Sequence, residues 1–134
     1  MSERLAPTTT PDTKFFWDAL KAGKLLIQRC TACATLRHPP RPMCPHCNAL
    51  GWDAIEAAGR GHVYSFVLPR HPPWPWFEDT YIVALVELEE GTRIVSNLRD
   101  VDPNDVTIGM PVQVFIEHFD NGVSIPQFRP RSEP

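Results

Sequence analysis

The chain has 134 residues, of which 43% are hydrophobic and 22% charged, as in ordinary globular proteins. This length suits one domain, or one small module joined to one modest core, and it excludes two large domains. The net charge of −3 argues against a generic DNA- or RNA-binding protein, because such proteins bind mainly by neutralising phosphates.

The first residues do not resemble a secretory signal. The segment MSERLAPTTTPD lacks the basic-then-apolar order of such signals. The sequence also lacks the run of about 18 apolar residues that a membrane span needs. We therefore expect a cytoplasmic protein without membrane contact.

Positive charge is concentrated in the first half of the chain. Residues 1–71 contain nine Lys and Arg against five Asp and Glu, whereas residues 72–134 contain four against eleven. An anionic ligand is expected to prefer the first half, and a solvated basic face is the alternative interpretation.

Residues 1–23 are predicted to form a tail and an amphipathic helix. Thr10 can cap a helix that begins at Pro11 and ends at Ala22, since Gly23 supplies the left-handed residue that stops helices. The apolar side chains at helical spacing on one side are Phe15, Phe16, Ala19 and Leu20. We expect this side to pack on the core of the chain itself or on another protein.

Residues 24–58 are predicted to form a metal-binding ribbon. KLLIQRC is typical of a strand that leads into the first cysteine pair, and a looser strand contains Trp52 and Ile55. The pattern C-x2-C-x10-C-x2-C places four thiolates about 2.3 Å from one tetrahedral ion, with Cys30, Cys33, Cys44 and Cys47 as ligands. Four thiolates leave no position for substrate, so we expect structural zinc.

Two alternatives use the same four cysteines. Iron could occupy the cage as in a rubredoxin, although Ala34 and Asn48 stand where rubredoxin knuckles usually have glycine. Two disulfides would need an oxidising compartment, which nothing in the sequence indicates. Zinc is the preferred interpretation.

The loop between the cysteine pairs, ATLRHPPRPM, carries basic residues among prolines. The prolines are expected to stiffen the loop and to hold Arg37, His38 and Arg41 outward. Such a loop either contacts a phosphate or is a solvent-exposed connector.

Residues 59–130 are predicted to form a five-stranded barrel, and residues 131–134 a frayed tail. The candidate strands are HVYSFVLPR, TYIVALVELEE, TRIVSNL, VQVFIEHF and VSIPQF. Short turns and one longer link, which has room for one helical turn, favour a closed or partly open barrel. The OB-fold is the commonest such barrel, and a half-sandwich is the alternative.

Turn residues separate these strands. Glu90-Gly91 predicts a hairpin turn, and Asp120-Asn121-Gly122 predicts a tight primed turn. The strand TYIVALVELEE is apolar on both faces, so a second layer should cover its outer face. The ribbon, the helix or another subunit could supply that layer.

The segment RHPPWPWFED, between the first two barrel strands, has an unusual composition for a loop. Its large aromatic residues are Trp74, Trp76 and Phe77, and Arg70 and His71 stand at its base. This combination suits a ligand with one anionic and one apolar end. Folding back over an open barrel end is the alternative.

Motifs of known catalytic sites are missing from the sequence, among them G-x-S-x-G, the Walker loop and H-E-x-x-H. Glu87, Glu89 and Glu90 are expected to be surface charges rather than an acid–base pair. We therefore expect no catalytic residues in this chain.

The order of the motifs resembles a known family. FFWDALKAGKLLIQRC, CTAC, RPMCPHC, GRGHVYSFV, YIVALVELEEG, IGMPVQV and PQFRP follow one another as in the acyl-CoA-associated zinc-ribbon/OB-fold family, long catalogued as a domain of unknown function. The resemblance spans roughly residues 13–130. It implies an N-terminal helix, a rubredoxin-like zinc ribbon and an OB-fold barrel.

The resemblance also implies a function. Family members are similar to accessory subunits of thiolase-like enzymes, including the aldolases that cleave steroid side chains as CoA thioesters. It therefore implies a non-catalytic subunit of a thiolase or aldolase, in a heterotetramer of two plus two subunits that binds acyl-CoA. From composition we assign the ligand or partner surface to Arg37, Arg41, Arg70, His71, Trp74, Trp76 and Phe77. A nucleic-acid-binding OB-fold is the alternative function.

Overall fold

The computed structural model describes residues 5–69 and 81–132. The elements in chain order are α1 (Lys14–Lys21), β1 (Leu26–Cys30), β2 (Leu36–Arg37), β3 (Trp52–Glu56), β4 (Arg60–Val67), β5 (Ile82–Leu88), β6 (Arg93–Leu98), a 3-10 turn (Pro103–Asp105), β7 (Pro111–His118) and β8 (Ser124–Pro130). The prediction of a mainly β protein with one N-terminal helix is confirmed. Within the described residues, no helix is long and apolar enough to cross a membrane.

The helix is shorter at its start than predicted. The carbonyl of Thr10 accepts hydrogen bonds from the amides of Thr13 and Lys14, so residues 11–13 form a turn before the helix begins. Thr13, not Thr10, is the residue at the N-terminal boundary, and its side chain makes no capping hydrogen bond. Instead, the Thr13 hydroxyl accepts a hydrogen bond from the backbone amide of Thr10, with 3.0 Å between the nitrogen and Oγ1. This bond closes the turn.

The predicted end of the helix is confirmed. Gly23 has a φ of 84°, and its amide donates to the carbonyl of Leu20 at 2.9 Å. The amide of Lys24 donates to the carbonyl of Ala19 at 2.9 Å. These two bonds form the Schellman arrangement, which needs a left-handed residue where this chain has glycine.

The apolar side of α1 packs on the chain's own core. Phe16 and Leu20 are buried, and the helix contacts β1 of the ribbon and β8 of the barrel. The ring of Phe15 lies 4.7 Å from that of Trp52, at the start of β3. The helix therefore packs between the two sheets, with Phe16 and Leu20 in the core of the chain.

The ribbon is a three-stranded antiparallel sheet in the order β2-β1-β3. β1 and β3 were predicted, and they pair from Leu26 opposite Glu56 to Cys30 opposite Trp52. The short strand β2 was not predicted, because two residues carry no readable alternation. It places Arg37 opposite Gln28.

The barrel is closed in the order β4-β5-β6-β8-β7, and β7 pairs with β4. This confirms the five-stranded barrel of an OB-fold and excludes the half-sandwich. One parallel pair, Leu98 opposite Phe128, joins β6 to β8. Among the side chains that the structure describes, Phe128 is the largest that is fully buried. The 3-10 turn at Pro103–Asp105 supplies the predicted helical turn of the link.

The two predicted hairpin turns had different outcomes. The first is confirmed, since Gly91 has a φ of 98° and its amide donates to the carbonyl of Leu88. The second is not a tight primed turn. Phe119 pairs with Val123 across three loop residues, so only Gly122 adopts a positive φ and Asn121 does not.

The outer face of β5 is not covered by the helix, which lies on β8 instead. Val83 and Leu85 on that face are half-buried, whereas Ile82, Ala84, Val86 and Leu88 point into the core. On the neighbouring strands Val67 and Val95 are exposed. These four residues, Val67, Val83, Leu85 and Val95, form what we call the outer apolar face.

Candidate functional site

The four cysteines lie together at the end of the ribbon. Their sulfur atoms are all within 4.8 Å of one another. The Sγ atoms of Cys30 and Cys47 are 3.6 Å apart, and those of Cys33 and Cys44 are 3.7 Å apart. Since a disulfide bond is about 2.05 Å long, these separations are those of free thiols.

The two cysteine knuckles have the same backbone geometry. In each, the residue after the second cysteine donates its amide to the carbonyl of the first: Ala34 to Cys30, and Asn48 to Cys44, both at 2.9 Å. Both donors have a φ of 66°. This left-handed conformation is favoured by glycine and tolerated by asparagine, so Ala34 is the strained member of the pair.

Hydrogen bonds and the neighbouring thiols shift the pKa values of the cysteines. The pKa of Cys33 is lowered to about 6, first by the Thr35 hydroxyl, which lies 3.1 Å from the sulfur, and then by the Thr35 amide. The amide of Ala49 lowers the pKa of Cys47, but the neighbouring thiols outweigh it and raise the value to about 12. Thiolates this close repel one another, and a cation between them removes that repulsion.

The spacing of the sulfur atoms fits a metal ion. In a regular tetrahedron with arms of about 2.3 Å, neighbouring sulfur atoms are about 3.8 Å apart. The two measured separations, 3.6 and 3.7 Å, are close to this value. The cluster could therefore hold one metal ion with four thiolate ligands.

The loop between the knuckles is held by a buried amide. The side chain of Gln28 is 1% exposed, and it donates to the carbonyl of Arg41 at 2.9 Å and accepts the amide of Arg41 at 2.8 Å. These two bonds act like one antiparallel backbone pair, and they fix the loop against β1.

The prediction that the loop points its basic side chains outward is wrong for Arg37. The residue is 5% exposed, and Nε and Nη2 of its guanidinium both donate to the carbonyl of Arg41. His38 is half-buried with its ring 5.2 Å from that of Phe16, and burial lowers the pKa of His38. Arg41 alone is exposed as expected.

Two grooves lie where the ribbon meets the barrel. One, of about 320 Å³, is mostly apolar and lies between α1, the loop at residues 38–40, and strands β6 and β8. The other, of about 450 Å³, lies between the ribbon loop and the turn from β5 to β6; we call it the junction groove. Arg37 and Arg41 both line the junction groove, so the structure brings these two predicted surface residues together.

The three glutamates at the end of β5 differ in role. Glu87 pairs with Arg93 at 3.1 Å and Glu89 with Arg60 at 2.7 Å, on the surface as expected. Glu90 departs from that prediction, because one carboxylate oxygen accepts the amide of Ala58 at 2.9 Å and the other is buried. Glu90 therefore joins the linker between ribbon and barrel to the hairpin turn.

Two family models divide the chain between them. The ChsH2 rubredoxin-like zinc ribbon domain matches residues 17–53, and the ChsH2 C-terminal OB-fold domain matches residues 54–117. A DUF35 domain-containing scaffold protein of Methanocaldococcus jannaschii is 35% identical over 114 residues, covering 80% of this chain and 81% of that protein. The chain belongs to the DUF35 family. This agrees with the resemblance seen in the sequence.

Solved structures of DUF35 proteins resemble the chain over most of its length. A chain described as Ltp2-ChsH2(DUF35) aldolase superimposes with a TM-score of 0.89 and 52% identity, covering 92% of this chain and 98% of that chain. A DUF35 protein of unknown function from Sulfolobus solfataricus superimposes with a TM-score of 0.64 at 19% identity, and this likeness concerns the fold alone.

Two longer relatives carry enzyme names. A probable enoyl-CoA hydratase alpha subunit of Thermomonospora curvata is 51% identical over 95% of this chain. The 3-oxo-4,17-pregnadiene-20-carboxyl-CoA hydratase alpha subunit of Mycobacterium tuberculosis is 44% identical over 81%. The chain spans only 40% and 35% of these relatives, respectively.

Five residues of the predicted ligand or partner surface lie outside the described residues: Arg70, His71, Trp74, Trp76 and Phe77. Their place in this DUF35 chain therefore stays a prediction.

Sequence reasoning missed Gln28, which organises the ribbon loop. A glutamine inside the apolar strand KLLIQRC was the available signal, because a polar residue at a buried strand position needs a hydrogen-bond partner.

Proposed function

We propose that this chain is a non-catalytic accessory subunit of a thiolase-fold enzyme, either a thiolase or an aldolase that cleaves steroid side chains. It stabilises that enzyme and contributes to acyl-CoA binding. The observation that carries the proposal is the likeness to the DUF35 chain of Ltp2-ChsH2 aldolase, at 52% identity and over 98% of that chain. The name of the archaeal relative, a scaffold protein, supports a role without chemistry of its own.

The hydratase names of the longer relatives are compatible with this proposal. At least 60% of each of those proteins lies outside the part that this chain matches. We place their hydratase chemistry in that additional part, and we propose that the matched part binds a partner or a CoA thioester.

We propose that the metal is zinc and that its role is structural, with Cys30, Cys33, Cys44 and Cys47 as ligands. Four thiolates fill a tetrahedral shell, so no position is left for a water or substrate molecule. A cytoplasmic location follows as part of the proposal, since thiols stay reduced there. We propose that the zinc-bound chain has two structural units, the ribbon at residues 24–58 and the barrel at residues 59–130.

The outer apolar face is a suitable docking surface for the enzyme. Val95 is 67% exposed and Val67 is 59% exposed, and both lie beside the half-buried Val83 and Leu85. Contiguous exposed apolar side chains of this kind often mark protein interfaces. We propose that this face and the aromatic segment at residues 70–79 contact the enzyme in a heterotetramer of two plus two subunits.

The acyl-CoA surface is proposed at the ribbon–barrel junction. Arg37 and Arg41 line the junction groove, and Arg70, His71, Trp74, Trp76 and Phe77 would extend this surface. Basic residues suit the phosphates of CoA, and aromatic residues suit its apolar parts.

Co-purification with a thiolase-fold or aldolase partner encoded next to this chain tests the proposal. We expect one complex in size-exclusion chromatography and a more soluble enzyme. Replacing Val95 with lysine should weaken the affinity for the enzyme at least about tenfold, because a charge would be buried in an apolar interface. The variant should therefore co-elute less with the enzyme. Ile108 is 63% exposed on the link between β6 and β7, so Ile108→Lys is the matched control and should co-elute normally.

Two outcomes would contradict the proposal. One is an enzyme that is equally soluble, active and able to bind CoA without this chain, with no co-elution. The other is salt-sensitive binding of single-stranded nucleic acid by this chain at micromolar concentration, which would favour the nucleic-acid-binding OB-fold. Against that alternative, Arg29, Arg60 and Arg93 are already paired with carboxylates.

A further inference from the structure

The junction groove contains buried polar atoms without partners. Its walls come from the ribbon loop, with Arg37, Arg41 and Pro45, and from the turn between β5 and β6, with Gly91, Thr92 and Arg93. Within residues 5–69 and 81–132, Nη1 of Arg37 and Oγ1 of Thr92 are both buried and make no hydrogen bond. Buried polar atoms nearly always have a partner, so two such atoms in one groove point to a missing ligand.

Arg37 is also without a carboxylate partner among residues 5–69 and 81–132. Two of its nitrogens donate to the carbonyl of Arg41 at 3.2 and 2.9 Å, and a carbonyl is neutral. None of the ion pairs between described residues includes Arg37, although the side chain is 5% exposed. A buried cation without an anion is destabilising, so the protein should gain stability when an anion binds there.

The other groups of the groove differ in their availability. Arg41 is exposed and adds a second positive charge. Arg93 is engaged, since it pairs with Glu87 at 3.1 Å and lies over the ring of Tyr64. Glu90, next to Gly91, is not part of the groove lining; one of its carboxylate oxygens accepts the amide of Ala58, and the other is buried without a hydrogen bond among the described residues.

We infer that the junction groove binds an oxyanion of the phosphate class. Nη1 of Arg37 and the hydroxyl of Thr92 donate to its oxygens, and Arg41 adds charge from the rim. A planar guanidinium and a hydroxyl are common donors to phosphate oxygens. This inference deepens the proposed acyl-CoA surface, because it names the chemical group that the ribbon side would bind. The phosphate comes either from the inorganic ion or from a phosphorylated small molecule.

Titration of the metal-loaded full chain with inorganic phosphate tests this inference. We expect saturable changes in the amide NMR signals of Arg37, His38, Arg41 and residues 91–93. The titration is done at constant ionic strength and against a chloride blank. Thr92→Val keeps the side-chain volume and removes the hydroxyl, and Arg41→Gln removes the rim charge. Each should weaken phosphate binding about tenfold, Thr92→Val through the loss of one hydrogen bond to a charged group and Arg41→Gln through the loss of the rim charge.

Two matched variants serve as controls. Thr107→Val removes an exposed hydroxyl on the link, and Arg129→Gln removes an exposed charge on β8, where Arg129 lies over Phe115. Both should bind phosphate as the unchanged chain does. A second titration with CoA identifies the source: tighter binding than inorganic phosphate indicates a phosphorylated small molecule, and equal binding indicates the free ion.

The inference is wrong if chloride produces the same signal changes, or if Thr92→Val and Arg41→Gln both bind phosphate normally. Ordered water would then satisfy the two buried atoms. The titration uses this chain alone, so failure to co-elute with an enzyme would overturn the proposed function and leave this inference standing.

Discussion

Gln28 is the residue on which the shape of the ribbon loop depends most directly. Its amide makes both hydrogen bonds of an antiparallel pair with the backbone of Arg41, thirteen residues away. The same carbonyl of Arg41 also accepts two bonds from Arg37. One buried side chain therefore positions the basic loop over the junction groove.

Replacing Gln28 with methionine should lower the free energy of unfolding by about 2–3 kcal/mol. The variant loses two hydrogen bonds and leaves the backbone amide of Arg41 unpaired. Urea unfolding of the metal-loaded chain measures the change. The control is Gln113→Met, since Gln113 makes a longer bond of 3.4 Å to the carbonyl of Ala58. The control should lose less than about 1 kcal/mol. Equal losses would contradict the role assigned to Gln28.

His38 links the ribbon loop to the helix through its contact with Phe16. Burial lowers the pKa of His38, so the folded chain resists protonation at this ring. The unfolded chain takes up the proton below about pH 6.5, the ordinary value. The unfolded state therefore binds more protons as the pH falls, and acid should destabilise the folded chain.

Comparing the chain with its His38→Phe variant isolates this contribution. We expect the unchanged chain to lose more stability between pH 7.5 and pH 5.5, measured by urea unfolding at each pH. The thiols also take up protons in acid, but they do so in both proteins, so the difference between the slopes reports on His38. Parallel pH profiles would show that His38 does not contribute.

At the scale of elements, the closure of the barrel depends on two glycines at the start of β4. Gly61 is buried, and a Cβ there would lie 2.4 Å from the backbone carbonyl oxygen of Glu87 on β5. Gly59 has a φ of 84°, and its Cβ would lie 2.2 Å from a methyl carbon of Val114 on β7. Both neighbouring strands approach the chain here more closely than a side chain permits.

Gly61→Ala should destabilise the chain by about 2–3 kcal/mol, because backbone atoms of β5 have to move away from the new methyl group. Gly109→Ala is the matched control. Gly109 also has a positive φ, of 90°, but a Cβ there meets open space, so only backbone strain of about 1 kcal/mol is expected. Thermal or urea unfolding compares the two variants. A smaller loss for Gly61→Ala than for Gly109→Ala would contradict this account of the closure.

At the scale of the whole molecule, α1 and Glu90 both connect the ribbon side to the barrel. The ribbon has little core of its own, since its three strands have two to five residues each. Metal binding is therefore expected to supply much of its folding free energy.

Removing the metal with a chelator should unfold residues 24–58 and lower the melting temperature, while the barrel keeps its own core. Amide NMR signals of the two regions measure this separately, and elemental analysis should find one zinc ion released per chain. The variant Cys44→Ser should behave like the chelated protein.

Chelation should also abolish co-elution with the enzyme. This loss would be an indirect effect of unfolding the ribbon. Ribbon signals that survive complete metal removal would contradict the structural role.

Local patterns were sufficient for several predictions. Gly23 was correctly predicted to end the helix, and the alternation of residues 82–88 correctly predicted a strand with a buried face. The cysteine spacing predicted the cluster, because a knuckle is a local turn. Asn121-Gly122 indicated a hairpin but not its geometry, since the loop length depends on which residues pair across it.

Other features depend on partners that are distant in the sequence. Strand β2 and the burial of Arg37 both follow from pairing with Gln28, nine residues earlier in the chain, and neither has a local pattern. The hydrogen bond of Glu90 is to the amide of Ala58, thirty-two residues away. Such contacts arise only when the ribbon loop, the linker and the hairpin are brought together.

The sequence by itself determined the helix, the cysteine cluster, the five barrel strands and the family of this chain, because each rests on spacing within a short segment. Only the tertiary structure decided that Arg37 is buried, that no ion pair of the described part of the chain includes it, and that it shares a groove with Thr92. The physical reason is that burial of a charge depends on what surrounds it in three dimensions. The cysteine pairs close the ribbon, and the ribbon then holds its basic loop against the barrel.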